Sequence, residues 1–407
     1  MSSPETSFSI KPLLLAMLIV TTAQAGVTIY IPALPQIAQQ LAVTPSHIQW
    51  LVTSFLIGLG LSQLVYGPWS DAIGRRRVFF IGQIIYLLGC GLCLLSGSSF
   101  WLLIMGRILQ GAGAGSASVL ARCVLSDSYR GHHLAKAMSW FAMSASFTPV
   151  ISPVLGGWIT DAWGWRAIFG CVSLYLLALV AIGFWYFEET MQAEARPFRV
   201  KDVLLRYREV LGEYKTMSPA VYIWLIYLTM VVSMTILPFF IQQELGVSAG
   251  HFGELMVIPA LGMCLGSLLA VHLRRWFGEF TPLFMGSVML GVSGIWLIAT
   301  PQALVPLIGG YTCVMLAMGF IFPTATSLLL EHNSHRSGVV VALSGTIQML
   351  VSGGLTGIII EYWVADQGKL GGFYLLMMLL ILGLALYQSR ALSALYRLLL
   401  STSRVQA

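Results

Sequence analysis

Twelve stretches of mostly apolar residues, each long enough to cross a bilayer as a helix, divide this chain, and most of its charge falls between them. They lie near 12–34, 48–69, 78–97, 100–121, 138–160 and 166–187, then 219–242, 252–272, 281–300, 304–328, 338–361 and 371–389. A helix rising 1.5 Å per residue needs about 20 residues to traverse ~30 Å of hydrocarbon. In that medium every backbone polar group must be satisfied within the fold, so runs of this length read as spanning helices. Charged residues are 9% of the chain and apolar types 57%, against roughly 25% charged in a soluble protein. So little charge cannot coat a water-facing surface, and an all-α membrane fold is expected.

The first run has one competing reading. Lys11 followed by an apolar stretch and Ala23-Gln24-Ala25 looks like a signal peptide with its cleavage site. The apolar character continues past that site through Ile31, so an uncleaved first span is expected. Orientation follows from lysine and arginine. With the N-terminus placed in the cytoplasm, cytoplasmic segments hold Lys11, Arg75–Arg77, Arg122, Arg130, Lys136, Arg274, Arg275, Arg336, Arg390, Arg397 and Arg404. They also hold the six basic residues of 188–218 (Arg196, Arg199, Lys201, Arg206, Arg208, Lys215), making nineteen of the 22. External segments hold Arg166 and Lys369, and Arg107 lies within a span. Both termini are therefore expected on the cytoplasmic side.

The chain divides into an N-terminal six-helix half (1–187), a cytoplasmic connector (188–218) and a C-terminal six-helix half with a short tail (219–407). The connector is the longest polar interval and reads as an amphipathic helix along the membrane surface. A faint repeat relates the halves. Asp71-Ala72-Ile73-Gly74-Arg75-Arg76 after span 2 has a worn counterpart after span 8, Leu273-Arg274-Arg275-Trp276-Phe277-Gly278, about 204 residues on. Parallel six-helix halves around a central site is a transporter plan.

Several functions are excluded or disfavoured. The net charge of +6 sits in short loops, with no continuous basic surface and interleaved aromatics, so no nucleic-acid partner is expected. Of the six cysteines, Cys90 and Cys93 form a C-x-x-C within an apolar run that lacks a histidine or second pair, which reads as packing. No metal or other cofactor is expected. The G-x-x-x-x-G-K-[ST] phosphate loop does not occur, which disfavours direct ATP hydrolysis. A membrane enzyme would need a clustered acid, histidine or metal set, and His132-His133 is too little for one.

Three motifs carry chemistry. The loop after span 2 reads Gly67-Pro68-Trp69-Ser70-Asp71-Ala72-Ile73-Gly74-Arg75-Arg76. Its acid, tight glycine turn and arginines suit a latch whose ion pairs change as the bundle changes. Span 4 carries Arg107-Ile108-Leu109-Gln110-Gly111-Ala112-Gly113-Ala114-Gly115. An arginine there costs ~2.5–3.5 kcal/mol on insertion scales and should face the bundle interior with a partner. Gly111 and Gly115 share its face and admit a close neighbour. Span 5 has Pro149, Pro153 and Gly157 at successive turns, with Gly156 on the adjoining stripe, which marks a bent and closely packed helix.

These residues resemble the major facilitator superfamily. The loop matches its G-x-x-x-D-x-x-G-R-R signature. Span 4 looks like the superfamily's R-x-x-Q-G-x-G motif, whose arginine is implicated in proton coupling. Ser152-Pro153-Val154-Leu155-Gly156-Gly157 resembles the G-P-x-x-G-G motif of its drug antiporters, with serine for the first glycine. With Ile29-Tyr30-Ile31-Pro32 and Trp163-Gly164-Trp165-Arg166, the chain is similar to the Bcr/CflA branch of drug:proton antiporters, strongly over 1–190 and mainly in topology afterwards. The resemblance implies a twelve-helix major facilitator fold with two halves related by a pseudo-two-fold axis. It also implies proton-coupled multidrug efflux by alternating access, from the bacterial inner membrane, by a chain acting as a monomer. The alternative is a proton-coupled importer of a sugar or small metabolite, which should show more buried polar residues and no Pro/Gly signature in span 5.

The proton-coupling residues expected on this reading are Arg107 and Glu254. Gating is expected of Gly67, Asp71, Gly74, Arg75, Arg76, Pro149, Pro153, Gly156 and Gly157. Gln24, Tyr30, Phe55, Tyr222, Trp224 and Tyr227 are expected to line the cavity for hydrophobic or amphipathic substrates, where aromatic faces and methionines give an adaptable wall. Many members of the branch carry an acid before the Tyr-x-Pro of span 1. Thr28 stands there in this chain, so its proton carrier is not carried over by the resemblance.

Overall fold

A computed structural model describes residues 9–191, 200–331, 333 and 337–403. Arg196, Arg199, Arg336 and Arg404, which entered the orientation argument, lie outside the described residues. Among the described residues there is no strand, and twelve helices are long and apolar enough to cross a membrane.

The first span is broken. Helix α1 (Lys11–Thr28) passes through a 3-10 turn at Ile31–Ala33 into α2 (Leu34–Gln40), because Pro32 and Pro35 cannot donate into a continuing ladder. Spans 2 to 6 are α3 (Pro45–Ile73), α4 (Arg75–Leu94), α5 (Phe100–Ser128), α6 (Gly131–Trp163) and α7 (Trp165–Tyr186). The connector contains α8 (Val200–Gly212). Span 7 is α9 (Tyr214–Pro238) with a π turn at Phe239–Glu244, and span 8 is α10 (Ala249–Leu255) running into α11 (Val257–Phe277). The last four are α12 (Thr281–Ala299), α13 (Leu304–Glu331), α14 (Ser337–Tyr362) and α15 (Gln367–Ser403). Several helices overrun the apolar runs that announced them. Hydropathy marks the hydrocarbon depth, whereas the hydrogen-bond ladder continues to the next cap or glycine, as at Thr44, whose side chain accepts from His47 N, and at Gly74.

The repeat is sharper in the helices than in the residues. An offset of 204 separates Pro45 from Ala249 and Phe100 from Leu304, the starts of spans 2 and 8 and of spans 4 and 10. The same offset relates Gly74 to Gly278, both with φ of +99°, a conformation that an L side chain resists.

The chain forms two compact units. The first comprises Met1–Gly212 with Met234–Val257 and Gly338–Ile358, and the second Glu213–Ser233, Ile258–Ser337 and Ile359–Ala407. In the first, α5 packs between α3 and α4 on its small residues. A side chain at Gly111 would strike the backbone of Phe55 and Leu59, and one at Gly113 the backbone of Gly82 and Tyr86. This is the close backbone approach that small residues permit where apolar burial supplies no drive between helices. In the second, α12 packs on α13 and α15, with Gly294 against Gly371.

Candidate functional site

Arg107 is 2% exposed and lies among α1, α3 and α5. Its guanidinium carbon sits 3.8 Å from the ring centroid of Tyr30 and 4.3 Å from that of Phe55, held between two aromatic faces. Nε donates to the Leu51 carbonyl (3.2 Å), one terminal nitrogen to Gln110 Oε1 (2.8 Å) and the other to the Gly26 carbonyl (3.3 Å). Gln110 passes the chain on, donating from Nε2 to Cys90 Sγ at 3.1 Å. Among the described residues no carboxylate pairs with Arg107. Aromatic faces contribute about 0.5–2 kcal/mol each and charge-assisted bonds about 1.5–3, and here they take the place of a counter-ion. The expected inward-facing arginine is therefore present, with neutral partners. Tyr30 and Phe55 are buried as its clamp.

At the ends of α3, α5 and α7 the latch loop forms a wider network than its motif announced. Arg75 reaches Asp71 (2.5 Å), Asp127 (3.0 Å) and Ser70 Oγ (2.5 Å). Glu189 accepts from the backbone N–H of Arg75 (2.9 Å) and of Arg76 (3.2 Å), capping the N-terminus of α4 where an anion is favoured. Its carboxylate fills the space that a side chain on Gly74 would need, so glycine is required there by both conformation and room. Arg76 donates to the Phe184 carbonyl (2.9 Å), and Gly67 faces Val119. Asp127 and Glu189 were not singled out as site residues. The paired acids Glu188-Glu189 just after a span were the available signal.

The second unit has a thinner version. Arg274 reaches Ser327 (2.5 Å) and Glu331 (3.4 Å), and Glu331 stands 204 residues after Asp127. Replacing Glu189 by alanine should uncap α4 and raise amide exchange at residues 75–78. Replacing Glu331, which caps no helix there, should leave those amides unchanged.

At the opposite end of the first unit, α6 lies backbone to backbone on α10. Side chains at Gly157 and Gly253 would meet the backbone of Ala249 and of Pro153, and one at Gly156 that of Ile29. Pro149 and Pro153 lie inside this continuous helix. Asp161 accepts from the Gly250 N–H at 2.8 Å. Glu254, with a side chain 49% exposed, accepts from Trp158 Nε1 at 2.9 Å and lies 3.3 Å from His251 Nδ1. Further contacts of the same unit are Thr53 to the Gly353 carbonyl (2.6 Å), Thr346 to the Gly60 carbonyl (2.9 Å) and Gln242 to the Pro32 carbonyl (2.9 Å).

The residues expected around substrate are divided between the units. Gln24, Tyr30 and Phe55 belong to the first, and Tyr222, Trp224 and Tyr227 to the second, where Tyr222 donates to Gln388 Oε1 at 3.0 Å. A cavity of about 590 Å³ in the first unit lies among α1, α6 and α7, with Met17, Thr21, Phe147, Thr148, Ile151 and Tyr175 on its walls. No charged residue lines it. Among the described residues no group of three or more histidine, cysteine, aspartate or glutamate side chains is placed to hold a metal.

The profile of the Major Facilitator Superfamily matches residues 16–357, and the chain belongs to that family. It is accordingly a multi-pass membrane transporter and not an enzyme. Its relatives include Multidrug resistance protein D of Escherichia coli K12, 29% identical over 391 residues, which cover 92% of this chain and 94% of that one. The Bicyclomycin resistance protein homolog of Haemophilus influenzae is 28% identical, covering 80% of this chain and 83% of its own length. Among solved structures, the xylose transporter XylE from E. coli, in a partially occluded inward open conformation, superposes with a TM-score of 0.73 at 14% identity. That match covers 95% of this chain and 98% of XylE and establishes the shared fold.

Proposed function

We propose that this chain is a proton-coupled exporter of hydrophobic or amphipathic small molecules. It works by alternating access, as a monomer in a bacterial cytoplasmic membrane with both termini on the cytoplasmic side. The observation that carries the reading is the α6–α10 seam. Gly157 on Ala249 and Gly253 on Pro153 bring two backbones together without intervening side chains. Such a seam leaves no room for water between the two backbones, and a transporter driven by a proton gradient must not leak protons. The names of the relatives, which speak of multidrug and bicyclomycin resistance, support export over import.

Arg107 acts as a fixed cation. With no carboxylate partner among the described residues, its field in a low-dielectric bundle falls on any proton or cationic group that enters nearby. Glu254 is the proton carrier, standing at the rim of the seam where water reaches it and where its charge strengthens the Trp158 bond. The Asp71–Arg75–Asp127 network and the Glu189 cap hold one arrangement of the bundle and are remade in the other.

Expression in a pump-deficient bacterium should lower ethidium accumulation, and a protonophore should abolish the effect. Unchanged accumulation from well-inserted protein would sink multidrug export. Glu254→Gln keeps an acceptor for Trp158 but cannot lose a proton. In vesicles with an imposed pH gradient it should retain downhill exchange and lose uphill accumulation. Uphill transport at the wild-type level would remove Glu254 from coupling.

A further inference from the structure

Pro68 lies inside α3 and has no N–H, so the carbonyl four residues earlier, that of Leu64, lacks its helical donor. Within the bilayer or at its edge an unmet carbonyl is costly. The donor comes from the connector: Tyr207 of α8 gives its hydroxyl proton to the Leu64 carbonyl at 3.2 Å. Val210, one turn further along α8, is 2% exposed, so this face of the connector helix is seated. Burial raises the phenol above its ordinary range, so it remains a donor at any physiological pH.

The second half supplies an internal control. At the offset of 204, Pro68 corresponds to His272 and Leu64 to Leu268. His272 has a backbone N–H, and its Nδ1 also lies 3.0 Å from the Leu268 carbonyl. That carbonyl has the helix's own N–H as a donor and needs no strap. The proline and the tyrosine therefore belong together.

We propose that Tyr207 is a positioning residue that straps the connector to span 2, capping the Leu64 carbonyl that Pro68 leaves without a donor. The strap seats α8 beside the segment that leads, three residues after Pro68, to Asp71 and its bond to Arg75. A movement of α3 that withdraws the Leu64 carbonyl from Tyr207 frees the connector. The consequence for transport rests on the alternating-access reading, but the strap itself does not.

The test is amide hydrogen exchange on the purified full-length protein. Tyr207→Phe should speed exchange in residues 200–212 roughly five-fold, the effect of losing one neutral hydrogen bond. Pro68→Ala restores an N–H to Leu64. In that background Tyr207→Phe should change connector exchange by less than about two-fold, half the logarithmic effect or less on the same scale. Pro68→Gly serves as the second variant should the alanine protein not fold. An unchanged connector in Tyr207→Phe, or an equal effect of Tyr207→Phe with and without Pro68, would overturn the strap. His272→Ala should leave residues 200–212 unaffected, and faster exchange there would likewise count against it. Because none of these readouts involves a substrate, failure of the strap and failure of the export reading are separate results.

Discussion

Arg107→Ala is expected to reduce efflux by about 100-fold while the protein still inserts. Truncation removes three charge-assisted bonds, and a loss of about 2.7 kcal/mol in the limiting step, the scale of one such bond, is 100-fold in rate. It also empties the space between Tyr30 and Phe55, two of the largest fully buried side chains. Arg107→Lys separates charge from shape. An ammonium keeps the cation but cannot lie flat between two rings while bonding Leu51, Gln110 and Gly26 together. Lysine should therefore rescue little. Ethidium efflux normalised to membrane-inserted protein measures both variants. Full activity in Arg107→Ala would take the residue out of the mechanism, and full rescue by lysine would make the charge alone sufficient.

The second large effect is expected at the seam. A side chain at Gly157 begins with a Cβ only 2.9 Å from the Ala249 carbonyl carbon and the Gly250 Cα, and neither can move aside without moving α10. Overpacking of this kind costs typically 1–3 kcal/mol. Gly157→Leu should prise α6 from α10, break the Asp161–Gly250 bond and lower efflux by roughly tenfold to 100-fold. Amide exchange at 249–255 should rise in parallel. Gly164→Ala makes a useful contrast, because nothing lies within 4 Å of its added carbon and only its φ of +78° opposes it. Wild-type efflux in Gly157→Leu would separate the seam from transport.

Much of this molecule is legible in its sequence. Spanning helices are announced by length and apolarity, since a bilayer imposes both on each segment separately. The span-4 motif identified an inward-facing arginine and the glycines beside it, because burying a charge and bringing backbones close leave marks on single residues. The interval 188–218 announced an amphipathic connector, and α8 occupies part of it. The partners were harder to read. Glu189 lies 114 residues from Arg75 and Tyr207 lies 143 from Leu64, and nothing local to either acid or phenol records what it will cap.

The sequence alone thus determined a twelve-span bundle, its six-plus-six repeat and the need for a buried partner set around Arg107. Only the tertiary structure decided that those partners are aromatic faces and carbonyls rather than a carboxylate. It also decided that Glu189 caps α4, and that the span-5 glycines serve a backbone seam with α10. The division has a physical cause. The solvent acts on every residue where it stands in the chain, whereas counter-charges and hydrogen-bond donors are recruited across space. Pro68 shows both sides at once: its missing N–H is written in the chain, but the hydroxyl that answers it is found only in the fold.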